Sequence, residues 1–190
     1  MAARRVLKYA ILGLLRKDDK SGYDITSDFK QAIGQFWSAK HSQIYTELKK
    51  LLEEELISSY IELSGEKLEK KMYTLTEKGK EDLHTWLLTQ DDHLETEKDV
   101  FALRLYFLKD IPSADLLALF ENQLNLRTNK LNMLKEQYAY HFGEENRPVD
   151  LDADDLGHYF VLTKAISREE NYIFWLMESM DIIRQRQYGE

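Results

Sequence analysis

The chain has 190 residues, with 26 Lys/Arg against 34 Asp/Glu for a formal charge of −8, and 43% of it is hydrophobic. That balance suits one or two folded domains with a real core and excludes a disordered chain. With no cysteine, disulfide scaffolds, thiolate zinc sites and iron–sulfur clusters are excluded; with no apolar run near the roughly 20 residues of a membrane helix and no signal-peptide core, the expected location is the cytoplasm.

Only two prolines and eight glycines interrupt long stretches of 3.6-residue periodicity, which argues for a mainly α protein. The charge is uneven: residues 1–88 carry 15 Lys/Arg and 14 Asp/Glu, residues 89–190 carry 11 and 20. Val6, Leu7, Ala10, Ile11, Leu14 and Leu15 form one stripe, predicting a helix over 5–16 that KDDKSG breaks. Ser21 and Asp24 have capping-box spacing and open a second helix, with Ile25, Phe29 and Ile33 inside and Gly34 at its end. A third helix over 41–55 buries Ile44, Leu48, Leu51 and Leu52, while its acids, Glu53 to Glu55, crowd the far end.

LISSYIEL (56–63) and KKMYTLT (70–76) have strand character and flank a Gly-containing, lysine-rich turn, so they read as a β-hairpin. Thr76 then caps EKGKEDLHTWLL. Helix, helix, helix, hairpin, helix is the order of a winged helix-turn-helix, assigned to residues 1–90. Residues 91–190 read as a helical domain for dimerisation and effector response. KDVFALRLYFL (98–108) is a compact apolar helix, and Leu117, Phe120, Leu124, Leu131, Leu134 and Tyr138 form a heptad-like seam that Arg127 interrupts. After an acidic loop over 143–155, the last helix (155–186) carries two neighbouring seams. One runs from Tyr159 to Ile183; the other comprises Val161, Ala165, Tyr172 and Trp175. A helix apolar on two faces needs two covers, and a second subunit is the economical one, so a homodimer is expected.

The third helix carries the chemistry of DNA reading. The major groove admits one α-helix, and Ser42, Gln43 and Lys49 offer hydroxyl, amide and ammonium groups on its outer face. Tyr23 and Tyr45 suit phosphate oxygens, and Lys67, Lys70 and Lys71 on the hairpin suit flanking phosphates. Each has a plainer reading, as a solubilising lysine or an edge-packing tyrosine; the order of elements favours DNA.

LKYAILGLL, SGYDI, HSQIYTELKKLLEEELI and KKMYTLTEKGKEDLHTWL together resemble the PadR family of bacterial transcriptional regulators, and the resemblance extends through FKQAIGQFWSAKHSQIY (29–45) and GHYFVLTKA (157–165). It implies a homodimeric repressor on a palindromic double-stranded operator. It further implies control of a phenolic acid decarboxylase gene, with release by a small aromatic acid such as p-coumarate or ferulate. By the same resemblance Ser42, Gln43, Tyr45 and Lys49 would contact DNA, with Lys67 and Lys70 from the wing.

A hydroxycinnamate is flat, with a phenol at one end and a carboxylate at the other, and its site needs aromatic walls and a cation or good donor. Phe36 and Trp37 are candidate walls, and His158 and Arg104 candidate polar ends. The plainer readings are a core seal for Phe36 and Trp37, a solvated or salt-bridged Arg104 and a packing His158. An enzyme is disfavoured: His41, His84, His93, His141 and His158 show no metal-ligand spacing, and neither a nucleophile elbow nor a P-loop or dinucleotide fingerprint occurs. No cofactor or metal is expected. A protein-binding helical adaptor and a PadR relative that senses a drug-like cation stay open as alternatives.

Overall fold

A computed structural model of the chain describes residues 5–30, 39–64, 68–90, 98–109, 111–143 and 148–187. It divides into two compact units, Met1–Thr96 and Glu97–Glu190. Mainly helical, with one small antiparallel sheet, it has the winged-helix element order expected from the sequence.

In the first unit, Ile11 and Leu12 of α1 (Val6–Leu14), with Leu15 just after it, pack into a core shared with Ile25 of α2 (Gly22–Asp28) and Ile44, Leu48 and Leu51 of α3 (His41–Glu53). The hairpin of β2 (Ile57–Ser64) and β3 (Leu68–Leu75) pairs from Ile57↔Leu75 to Ser64↔Leu68 and adds Ile57, Tyr73 and Leu75 to that core. Helix α4 (Glu77–Leu87) closes it with Leu83 and with Trp86, which stacks 4.6 Å from Tyr9.

Both expected caps form: Ser21 Oγ accepts from the Asp24 amide at 3.2 Å, and Thr76 Oγ1 accepts from Gly79 at 3.1 Å. Two details differ from the sequence reading. Lys20–Ser21, read as a break, forms a two-residue strand β1 on β3, giving the order β1-β3-β2. Glu47 joins the buried face of α3, because Arg5 reaches it from 42 residues away, while Leu52 packs half-buried against the same core. The expected end of α2 at Ile33 and Gly34 lies outside the described residues.

In the second unit, α5 (Val100–Leu105) is shorter than the 98–108 expected and is capped by Asp99. Helices α6 (Ser113–Phe142) and α7 (Ala153–Gln187) form an antiparallel hairpin with two apolar layers. Phe101, Phe120, Leu176, Met180 and Ile183 make one, and Leu134, Phe142, Leu162 and Ala165 the other. Between them lies a charged layer. Glu169, 0% exposed, accepts from Arg127 at 2.9 Å and Arg168 at 3.1 Å, with Lys130 3.4 Å away. The residue that broke the apolar seam of α6 is therefore the partner of a buried carboxylate on α7.

Candidate nucleic-acid interface and effector cavity

Helix α3 presents Ser42, Gln43, Tyr45, Thr46, Lys49 and Lys50 on its exposed side and seats Ile44, Glu47, Leu48 and Leu51 behind them. Arg5 anchors the helix from the rear through ion pairs to Glu47 and Glu54. The outer face is acid-free until Glu53, which lies 3.9 Å from Lys49, itself 79% exposed at the side chain. Gln43 is not wholly available: its Oε1 accepts from the Lys40 amide at 2.8 Å at the first turn of α3. A bidentate contact to adenine requires both amide atoms, so base reading by Gln43 must first break that bond.

Tyr23 is 76% exposed on α2, and Tyr45 is 41% exposed and leans on His41, ring centroids 4.5 Å apart. Lys70 of the wing is paired with Asp24 at 2.9 Å, and the same carboxylate oxygen accepts from the Ser21 amide and hydroxyl. Burial raises the Asp24 pKa, but the bonds from Lys70 and Ser21 outweigh it and hold the carboxyl below its usual range. Lys67, named with Lys70 as a phosphate contact, lies outside the described residues.

The second unit contains a cavity of about 550 Å³ between α5, α6 and α7. Arg104, Arg127 and Arg168 line it with Phe101, Asp99 and Tyr172. Tyr172 donates its hydroxyl to Asp99 at 2.9 Å, and the Arg127 guanidinium lies 3.8 Å from its ring. The amide of Ala102 is the main reason the Asp99 carboxyl sits below its ordinary pKa; burial opposes it and Tyr172 assists. Burial and Asp99 together raise the Tyr172 phenol. This arrangement keeps Asp99 an acceptor and Tyr172 a donor.

Of the effector residues expected from sequence, Arg104 lines this cavity and His158 does not. His158 lies ten residues before Arg168 on α7, about 15 Å along the axis. There it packs edge-on against His141 at 4.6 Å and beside Phe142 at 5.5 Å. Burial, then the charge of His141, lowers its pKa against an opposing Asp155. Phe36 and Trp37 lie outside the described residues. Arg127, Arg168 and Tyr172 were missed as cavity residues; the one signal was a cation set inside an apolar seam.

Residues 11–85 match the transcriptional regulator PadR-like family, and residues 97–184 match the virulence activator alpha C-terminal family. The negative transcriptional regulator PadR of Bacillus subtilis is 51% identical over 94% of this chain and 98% of its own length. Crystal structures of that PadR resemble the chain closely. The complex with operator DNA does so at a TM-score of 0.86 and 51% identity, over 94% of this chain and 99% of that one. The complex with p-coumaric acid does so at 0.82 and 48%, over 95% and 99%. With such likeness across both units, the chain belongs to the PadR-like family of transcriptional regulators.

Proposed function

We propose that the chain is a DNA-binding repressor that is released from its operator by a phenolic acid such as p-coumarate, and that it is not an enzyme. The observation that carries this is the likeness, over nearly the whole chain, to a PadR solved once with operator DNA and once with p-coumaric acid. The acid-free outer face of α3 supports it: a helix with hydroxyl, amide and ammonium groups there suits the major groove. In this reading Ser42, Gln43 and Lys49 read the groove, Tyr23 and Tyr45 fix register on phosphates, and Lys67 and Lys70 reach flanking backbone. The regulated gene is a phenolic acid decarboxylase gene, and the protein works in the cytoplasm. Among the described residues no helix is long and apolar enough to cross a membrane.

The working form is a homodimer on a palindromic operator. Phe174, Trp175, Met177 and Ile182 of α7 stay exposed in a single copy, a face that a second C-terminal unit covers. Release requires that the acid bind the DNA-incompetent arrangement more tightly than the competent one. Of the effector residues expected from the sequence, Arg104 is the one that lines the cavity of the second unit, which supports it as a contact for the acid group.

Fluorescence anisotropy with the chain's own upstream DNA tests this. Affinity should fall steeply with salt as phosphate contacts release counterions, and p-coumarate should free the DNA. Salt-insensitive binding favours a protein adaptor, and DNA held at millimolar p-coumarate rejects the phenolic effector.

A further inference from the structure

We propose that Arg5 is a positioning residue for operator reading: from the foot of α1 it clamps Glu47 and Glu54, two turns apart on one flank of α3, and so fixes the roll and tilt of that helix without touching DNA. This role rests on the DNA-binding reading above and adds to it a residue outside the reading face.

Arg5 stands immediately before α1. Its carbonyl accepts from the Lys8 amide at 3.0 Å, and its side chain makes no cap of its own. The backbone is thus tied to α1 while the guanidinium is left for a distant partner. That partner is α3. Nε donates to Glu47 Oε1 at 3.0 Å, Nη2 reaches the same oxygen, and Nη1 donates to Glu54 Oε1 at 2.5 Å. All three nitrogens are engaged, a task that suits the planar fork of arginine and not the single nitrogen of lysine.

The spacing of the two carboxylates makes the contact a clamp. Glu47 and Glu54 are seven residues apart, so they share one side of the helix about 10 Å apart along its axis. The apolar stripe of Ile44, Leu48 and Leu51 holds α3 to the core, but apolar burial has no direction and does not fix how the helix is rolled. Charge-assisted hydrogen bonds do have direction, and two of them along one flank fix roll and tilt together. Glu47 is 8% exposed at its side chain, which shields that half of the clamp from salt, whereas Glu54, at the C-cap, is 38% exposed.

The residues that depend on this setting lie on the other side of α3, where Ser42, Gln43, Tyr45 and Lys49 are exposed. Groups that read base edges must be held to about 0.5 Å by the shell behind them, and Arg5 supplies that shell. It is not itself a phosphate contact: one cation against two carboxylates leaves the cluster net negative, and its nitrogens already face those carboxylates.

Fluorescence anisotropy on the full chain tests this, with a matched and a mismatched operator over a salt series and a thermal melt of each variant. Arg5→Gln should weaken the matched operator about tenfold and the mismatched one by no more than about threefold. The slope of log affinity against log salt should stay that of the wild type, since no phosphate contact is lost. Glu54→Gln, at a partly exposed position, decides the matter even if Arg5→Gln folds poorly. Removing an acid from a DNA-binding unit should by itself tighten binding, whereas loss of half the clamp should weaken the matched operator about threefold and narrow discrimination. Equal losses on both operators in a folded Arg5→Gln point to a weakened fold alone and overturn the proposal. So does a salt slope lower by about 1, the sign of a lost phosphate contact, or Glu54→Gln binding the matched operator at least as well as the wild type. In those cases the wild type still prefers its operator, and the repressor reading stands. If the wild type shows no such preference, the DNA-binding reading fails and takes the clamp's role with it.

Discussion

The ring of Tyr45 occupies the space that a side chain on Gly22 would need: a Cβ there would lie 2.8 Å from Tyr45 Cζ and Oη. Gly22 opens α2, and its bare backbone lets the exposed ring of α3 lie across that helix start. Gly22→Ala should therefore swing Tyr45 off its seat at little cost in stability, about 1 kcal/mol or less, because the ring has solvent to move into. Operator affinity should fall several-fold. Gly79→Ala is the contrast: its Cβ would meet the Leu56 carbonyl oxygen at 2.1 Å, and backbone cannot swing aside. Thermal melts should show a loss of about 3 kcal/mol there.

Lys49→Ala should weaken the matched operator more than mismatched ones, as loss of a groove-reading cation requires, and should also lower the slope of log affinity against log salt. Lys70 behaves differently because it neutralises Asp24. Lys70→Ala removes a cation and also uncovers a carboxylate near the phosphates, so adding Asp24→Asn should recover part of the loss. Anisotropy across a salt series with the single and double variants checks this.

Gln43→Ala should narrow discrimination between operator variants by about 1–3 kcal/mol. The bond to the Lys40 amide makes part of that readout costly, so a small effect on the stability of α3 should accompany it. Binding to matched and mismatched operators, beside a melt, separates the two.

Acid sensitivity should come from two sites on α7. The folded-state pKa of His158 lies below the ordinary histidine value, so the unfolded chain takes up the proton first and stability drops as pH falls below about 6.5. The Glu169 carboxyl is also lowered: burial alone would raise it, but the pairs with Arg127, Lys130 and Arg168 prevail. Its contribution is full above about pH 4.5 and is lost as pH falls through the folded value. His158→Phe should flatten the first decline and Glu169→Gln the second, in denaturant titrations at a series of pH values. At neutral pH Glu169→Gln should itself cost about 2 kcal/mol, below the full penalty for a buried pair because its partners reach solvent.

What the sequence made legible is what local pattern encodes. The stripes of α1 and α3, the caps at Ser21 and Thr76 and the hairpin all follow from spacings within one or two turns. What escaped was decided at long range. Glu47 and Glu169 look like surface residues in any periodicity, and each is buried because an arginine 42 positions earlier reaches it. Strand β1 has only two residues, too few for an alternation to register, and exists because β3 offers it an edge. The three cavity arginines come from three helices and become one site only when α6 and α7 fold back on each other.

That short strand also divides the wing along its length. Near its base, Met72 and Tyr73 are flanked on both sides, by Ser21 and Lys20 across one edge and by Tyr60 and Ser59 across the other, whereas Lys70 and Lys71 have a neighbour on β2 alone. Amide protons should therefore exchange with deuterium slowly around Met72 and Tyr73 and faster toward Leu63, because a lone two-stranded ribbon opens more readily than a three-stranded one. By the same pairing, the base of the wing should be its stiffer end and the two-stranded part beyond it the more yielding one.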